Sequence, residues 1–319
     1  MSTYTPALLE LRQAIRPWLL EINPHEPILI GVSGGADSLA LACATKLEAG
    51  DNFQVIPVVI DHGLQNNSAM VATDAVNKLK RFGFTEVFSG KAQVVMVDGL
   101  EASARRARYL AFNQALETYG AKLFFLGHTQ NDQAETVLLG LARGSGTKSL
   151  SGMAEVNGPF VRPLLGVSRE VTEMACKELG IDFWSDPHNL NEEFTRVRVR
   201  KNILPVIERE IGPGIVQALS RSARILREDS QALDAMADDV FSELDPKSLD
   251  IEVLTKVPKA IRSRVIRLAL YCAGAPAGSI TAEHLEPIEA LVTDWRGQGV
   301  TSLPGGVKVG RISGRLSLS

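Results

Sequence analysis

One short stretch, Gly31-Val32-Ser33-Gly34-Gly35-Ala36-Asp37-Ser38, combines two hydroxyls, a glycine pair and a carboxylate. It lies between the apolar run Ile28-Leu29-Ile30 and the helix-like Leu39–Ala44, so it reads as a turn from a buried strand into a packed helix. Such a turn gathers free backbone N–H groups at the positive end of a helix dipole, where an anion is stabilised. Gly34 and Gly35 let the backbone approach a ligand, and Ser33 and Ser38 add hydroxyl donors. Asp37 would repel a phosphate unless a cation lay between them, which implies magnesium. A glycine pair alone would be explained by helix capping. The order Ser-Gly-Gly-x-Asp-Ser, with a strand before it and a helix after it, favours the anion site. It matches neither G-x-G-x-x-G nor the Walker pattern.

Further reactive types recur where other strands should end. The strand 53–60 runs into Asp61-His62, and ligands of open α/β sheets gather beyond the carboxyl ends of strands, which places Ile60, Asp61 and His62 near the same site. A purely structural His62 is the competing reading. Arg105 and Arg108 share a helix face and could hold a polyanion such as ATP or an RNA backbone, or could serve solubility. The strand 122–127 delivers His128, and Asp132 and Glu135 follow on one face of a helix. These carboxylates could hold an ammonium group or a metal, or could merely favour a helix N-terminus. The H-E-x-x-H pattern is absent, which argues against zinc. In the basic run 196–201, Arg196 and Arg200 share a face if the segment is helical, and Val197, Val199, Ile203 and Leu204 argue for partial burial.

The elements that must position these groups alternate between strand and helix. They predict an α/β fold, a doubly wound and mainly parallel sheet, with a smaller, mostly helical C-terminal domain. An N-terminal helix covers residues 1–25, a catalytic domain 26–212, and helices over 214–242, 255–272 and 281–292 precede short terminal strands. The boundary is set at Gly212-Pro213-Gly214. Arg143–Ser149 reads as a flexible loop at the site's rim.

The chain has 319 residues, 45% of them hydrophobic and 22% charged, with a formal net charge of −3. That charge does not announce a nucleic-acid binder, although a basic face is sufficient for one. No apolar run approaches a membrane span and no signal peptide is evident, so a cytoplasmic address is the expectation. Cys43, Cys176 and Cys272 are far apart and form no C-x-x-C pair.

The Ser33–Ser38 turn resembles the pyrophosphate loop of the N-type ATP pyrophosphatases, which cleave ATP between the α- and β-phosphates and adenylate a substrate. The set Asp61-His62-Gly63-Leu64, Arg105-x-x-Arg108-Tyr109, Gly127-His128, Asp132-Gln133-x-Glu135-Thr136, Arg143-Gly144-Ser145-Gly146, Arg162-Pro163-Leu164-Leu165, Asp186 with Asn189, and Arg196 with Arg200 narrows the match. Together they are similar to the bacterial tRNA(Ile)-lysidine synthetase family over about residues 26–210, and Leu303-Pro304-Gly305-Gly306 extends the likeness weakly into the tail. Thr129, Asn131 and His188 depart from the residues common in that family.

The resemblance implies ligation of L-lysine to C2 of the wobble cytidine in a CAU-anticodon isoleucine tRNA. ATP and Mg2+ would be used, AMP and pyrophosphate released, and reading changed from AUG to AUA. It implies that Ser33, Gly34, Gly35, Ala36, Asp37, Ser38, Ile60, Asp61, His62, Arg105, Arg108 and His128 bind the nucleotide. Asp37 would also meet the metal. Asp132, Glu135, Arg196 and Arg200 would bind substrate, and Asp37, Asp132, Glu135 and Arg200 would be catalytic. The tail would touch tRNA, and a homodimer is compatible with this reading. The alternatives are a tRNA-thiolating relative, a small-molecule adenylating synthetase, or an RNA-binding protein with an inactive nucleotide fold.

Overall fold

The computed structural model describes residues 5–24, 26–61, 63, 68–92, 95, 100–144, 146–184 and 191–319. His62, Leu64, Ser145, Asp186, His188 and Asn189, named above, lie outside them. The chain divides into two compact units, one reaching Leu226 and the other Arg227–Ser319. The division falls inside a long helix, α10, introduced below, and downstream of the Gly212-Pro213-Gly214 turn.

In the first unit, strands β1 (Ile28–Val32), β2 (Val55–Asp61), β3 (Phe88–Lys91), β4 (Leu123–Leu126), β5 (Val156–Asn157) and β6 (Phe160–Val161) form one sheet in the order β3-β2-β1-β4-β6-β5. Strand β1 is central and parallel to both neighbours, with Gly31 opposite Val58 on one side and Leu126 on the other. The strand order therefore reverses at β1, and the crevice beyond its carboxyl end is where such sheets bind ligands. The Ser33 turn leaves from that point. β5 pairs antiparallel to β6 at the edge, a short hairpin not foreseen from sequence because two residues carry no alternation to read.

Side chains alternate across β1, as a strand requires. Ile28, Ile30 and Val32 pack in one cluster with helices α1 (Pro6–Leu20), α2 (Ala36–Ala49), α3 (Ser68–Arg81) and α7 (Arg169–Glu178). Leu29 belongs to the opposite cluster, under α4 (Leu100–Tyr119). There Phe112 lies 4.4 Å from the Phe124 ring and Tyr109 4.8 Å from that of Phe160. This aromatic seam fixes the helix that carries Arg105 and Arg108.

Two further helices, α5 (Gln130–Ala142) and α6 (Thr147–Leu150), follow β4. The basic run is helical: α8 (Thr195–Arg198) widens into a π-turn over Val199–Ile203 and continues as α9 (Leu204–Glu210). Pro205 has no N–H and its ring crowds the carbonyl one turn back, so the chain accommodates it by widening. Leu204 N–H accordingly reaches Val199 O. α10 spans Ile215–Ser242.

The second unit holds α11 (Ile251–Lys256), α12 (Lys259–Cys272), α13 (Ala282–Thr293) and strands β7 (Ser248–Asp250), β8 (Thr301–Ser302), β9 (Lys308–Ile312) and β10 (Arg315–Leu318). The strands form an antiparallel sheet in the order β7-β10-β9-β8. The single helix expected over 255–272 is two, because Pro258 stops one and starts the next. Arg262, on α12, is buried and donates to Glu289 at 2.7 Å.

Candidate active site

Two groups of side chains meet at the carboxyl edge of the first unit's sheet. The first surrounds a cavity of about 330 Å³ lined by the Ser33–Ser38 turn, the end of β2, α3, α4 and the β4–α5 turn. Ser33, Gly35, Ser38, Ile60, Asp61, Arg105, Arg108 and His128, all singled out from sequence, line it. Gly34 has φ +88°, a conformation that side chains rarely adopt, and lets the turn expose its amides. Ser38 Oγ accepts from Ser33 N–H at 3.1 Å and donates to Gly35 O at 3.0 Å, bracing the turn from within. Arg105 lies over the Tyr109 ring at 5.1 Å, and both Arg105 and Arg108 are exposed at the cavity. His128 brings a buried Nδ1 without a partner among the described residues, and burial pushes its imidazole down to about 4. It is therefore neutral near pH 7.

The second group is an ion network of three carboxylates and three guanidiniums. Asp132 is the third residue of α5. Its Oδ2 accepts from Thr129 N–H at 2.9 Å and from Thr129 Oγ1 at 3.0 Å, closing a capping box. Its other oxygen faces Arg169 Nη2 at 3.0 Å and Arg200 Nη2 at 3.4 Å. Capping and charge pairing thus use different oxygens of one carboxylate. Glu135, one turn on and fully buried, receives Arg196 Nε at 2.8 Å and Arg200 Nε at 2.6 Å.

Asp37 belongs to this second group. Its carboxylate accepts from Thr172 Oγ1 and lies 3.4 Å from Arg169 Nε, on α7, and it is not among the cavity's lining residues. Burial pushes Asp37 above the usual carboxylate range, with Arg169 and Thr172 opposing. For Asp132 burial acts the same way, but the Arg169 charge, the Thr129 amide and the Arg196 charge prevail and hold it below that range. The two groups share a wall, because Gly127 packs on the backbone of Asp37 and Ser38 so closely that a Cβ would meet it at 3.0–3.1 Å.

No group of three or more His, Cys, Asp or Glu that could cage a metal occurs among the described residues. Asp37, expected to meet magnesium, gives its carboxylate to Thr172 and Arg169 outside the cavity. Magnesium carried by a nucleotide takes one or two carboxylates and otherwise phosphate oxygens and water, and a carboxylate already held by a guanidinium does not fit that place.

A family model described as a PP-loop domain matches residues 6–207, and one described as a TilS substrate binding domain matches 249–317. A tRNA(Ile)-lysidine synthase from Thermobifida fusca is 43% identical, covering 100% of this chain and 99% of the relative. The chain belongs to the tRNA(Ile)-lysidine synthase family. A second member, from Leifsonia xyli, is 46% identical over 93% of this chain and 90% of its own. A solved structure of U34-tRNA thiolase NcsA from Methanococcus maripaludis is 17% identical with a TM-score of 0.57, covering 69% of this chain and 80% of that one, and supports the fold alone.

In this lysidine synthase relative, the network contains two residues that sequence reasoning passed over, Arg169 and Thr172. A basic residue opening a helix works against the dipole, and that anomaly was the available signal. Trp184 was likewise passed over; it lines the cavity and donates its backbone N–H to Gly34 O at 3.0 Å.

Proposed function

We propose that the protein uses ATP to join L-lysine to C2 of the wobble cytidine in a CAU-anticodon isoleucine tRNA. What carries the reading in this structure is the shared wall, at which a phosphate turn and a buried carboxylate–arginine network back onto each other through Gly127 and Asp37. Adenylation needs the first and an amine nucleophile needs the second.

In this scheme the amides of the Ser33–Ser38 turn bind the β- and γ-phosphates, and Arg105 and Arg108 neutralise the cavity rim. The C2 oxygen attacks the α-phosphorus, and pyrophosphate leaves into the turn. Magnesium carried by the nucleotide would supply charge neutralisation of the phosphates. Asp132 and Glu135 receive the lysine ε-ammonium, whose unperturbed pKa is about 10.4, and one of these carboxylates takes the proton that it must lose before attack. The amine then forms the N–C2 bond, the C2–O bond breaks, and the oxygen departs with AMP. Arg196 holds the carboxylates in place, and Arg200 supports them and either the lysine carboxylate or the charged intermediate. Asp37, Asp132, Glu135 and Arg200 are the residues assigned to the chemistry.

Residues 213–319 are assigned to tRNA contact, with the N-terminal helix and residues 26–212 as the catalytic part. A cytoplasmic setting follows from this reading, and among the described residues no helix is long and apolar enough to cross a membrane. Thiolation is disfavoured by the cysteines: Cys43 and Cys176 are buried, and burial pushes the Cys176 thiol up to about 12. The test is incorporation of labelled L-lysine into the CAU-anticodon transcript with ATP and magnesium, beside a transcript with U at the wobble position. Label in the first alone, with AMP and pyrophosphate, is expected; pyrophosphate release with another acceptor only would overturn the choice of substrate.

A further inference from the structure

Arg169 opens α7 and is held from both ends. Its backbone N–H donates to Asn131 Oδ1 at 2.9 Å, and Gln130 N–H donates to Val167 O at 2.8 Å, tying the start of α5 to the residues before α7. Its guanidinium then turns three different nitrogens toward three carboxylates: Nη2 to Asp132 at 3.0 Å, Nε to Asp37 at 3.4 Å and Nη1 to Glu135 at 3.6 Å. One side chain therefore joins the first turn of α2, directly after the phosphate turn, to the first turns of α5.

We propose that Arg169 is a positioning residue that couples the phosphate turn to the amine-binding carboxylates, so that nucleotide and lysine bind with positive cooperativity. The inference rests on the assignment of Asp132 and Glu135 to the lysine ammonium. Three carboxylates already face three guanidiniums, and an incoming ammonium must displace one of them. Arg196 and Arg200 hold Glu135 at 2.8 and 2.6 Å, whereas Arg169 stands at 3.6 Å and has Asp37 to turn to. At Glu135 it is the most readily displaced; at Asp132, where Arg169 stands at 3.0 Å and Arg200 at 3.4 Å, its release depends on Asp37 as the alternative partner.

Moving toward Asp37 carries its positive charge toward the phosphate turn, where a triphosphate would stabilise it. A bound triphosphate in turn draws Arg169 from Asp132 and clears the carboxylate for the ammonium. Because coupling between binding equilibria is reciprocal, each ligand must tighten the other by the same factor.

The experiment is calorimetric binding of L-lysine with and without a saturating non-hydrolysable ATP analogue, and of the analogue with and without lysine. It is done on the full chain, the Arg169→Met variant and the Arg169→Lys variant. Lysine at this position keeps the positive charge and so the fold, but its single ammonium cannot fork between Asp37 and Asp132. In the unaltered protein the analogue should tighten lysine binding by about fivefold or more, with the same factor in reverse. In both variants the factor should fall to about one. A purely structural Arg169 would lower the melting temperature or weaken both ligands and leave the factor intact, which would overturn the proposal, as would a factor of one in the unaltered protein.

A second cycle needs no lysine. Asp132→Asn should change the analogue's affinity when Arg169 is present and leave it unchanged in the Arg169→Met background. Additive effects overturn the coupling. Failure of the unaltered protein to bind lysine would instead remove the amine assignment, and this second cycle would then decide on Arg169 by itself.

Discussion

Nε of Arg200 lies 2.6 Å from Oε1 of Glu135, a carboxylate with no solvent-exposed surface. The same carboxylate also receives Arg196, so its loss takes a charged partner from two guanidiniums at once. Glu135→Gln keeps the volume and removes the charge. Breaking a buried pair from one side costs about 3–5 kcal/mol, so the urea midpoint should fall accordingly. Lysine transfer should drop by roughly 100-fold or more, the range for loss of a group that handles a proton. A variant as stable and as active as the parent would remove Glu135 from both roles.

Gly127 controls how closely β4 approaches the phosphate turn. In Gly127→Ala the new methyl would meet Ser38 Cα at 3.0 Å and the Asp37 carbonyl at 3.1 Å, which are backbone atoms with no rotamer to yield. Overpacking of this kind costs about 1–3 kcal/mol and here displaces the turn itself. ATP-analogue affinity should therefore fall together with stability. Gly166→Ala is the comparison, since nothing lies within 4 Å of the place its new methyl would occupy, and both quantities should stay within experimental error of the parent.

The difference between these parts explains what could be read in advance. The phosphate turn and the α5 carboxylates are local patterns: Ser33 to Ser38 spans six residues, and Asp132 and Glu135 are one turn apart. Their strand–turn–helix settings follow from neighbouring residues, and the doubly wound order follows from alternation of elements. Arg169 carried only the local sign of a basic residue opening a helix, which does not say what it pairs with. Its partners Asp37 and Asp132 lie 132 and 37 residues away, and in sequence it is one more charged residue in the first turn of a helix. Which way Asp37 faces was equally invisible, because its carboxylate turns to α7 through Thr172, a contact set by packing of α2 against α7. The break at Pro258 was legible and went unread, since apolar spacing continues across it.

His128 should give stability a distinctive pH dependence. Its folded pKa of about 4 lies below the unfolded value of about 6.5, so below pH 6.5 the unfolded chain takes up a proton that the folded chain refuses. Stability falls as pH drops from 6.5 to 4 and this contribution then levels off. The whole effect amounts to about 3 kcal/mol at 1.36 kcal/mol per pH unit. Chemical denaturation of His128→Gln at pH 7 and pH 4 should show a difference between the two conditions smaller by about that amount. An unchanged difference would mean that the imidazole titrates alike in both states.

Arg221 and Arg262 look equivalent in the sequence and should behave oppositely toward RNA. Arg221 is exposed on α10, whereas Arg262 is buried, pairs with Glu289 and donates to the Leu254 and Val257 carbonyls at 3.3 and 3.2 Å. A phosphate contact releases condensed counterions, and each contributes about 0.7–0.9 to the slope of log affinity against log salt. If the tail engages tRNA through phosphates, Arg221→Ala should weaken binding across RNA sequences and lower that slope by about one contact's worth. Arg262→Ala should leave the slope unchanged and instead strand the buried Glu289, destabilising the second unit by about 3 kcal/mol or more. Filter binding across a potassium chloride series, with thermal unfolding of each variant, measures both. Equal slopes for Arg221→Ala and the parent would take Arg221 out of the phosphate contacts, and a tRNA affinity indifferent to salt would remove the electrostatic interface altogether.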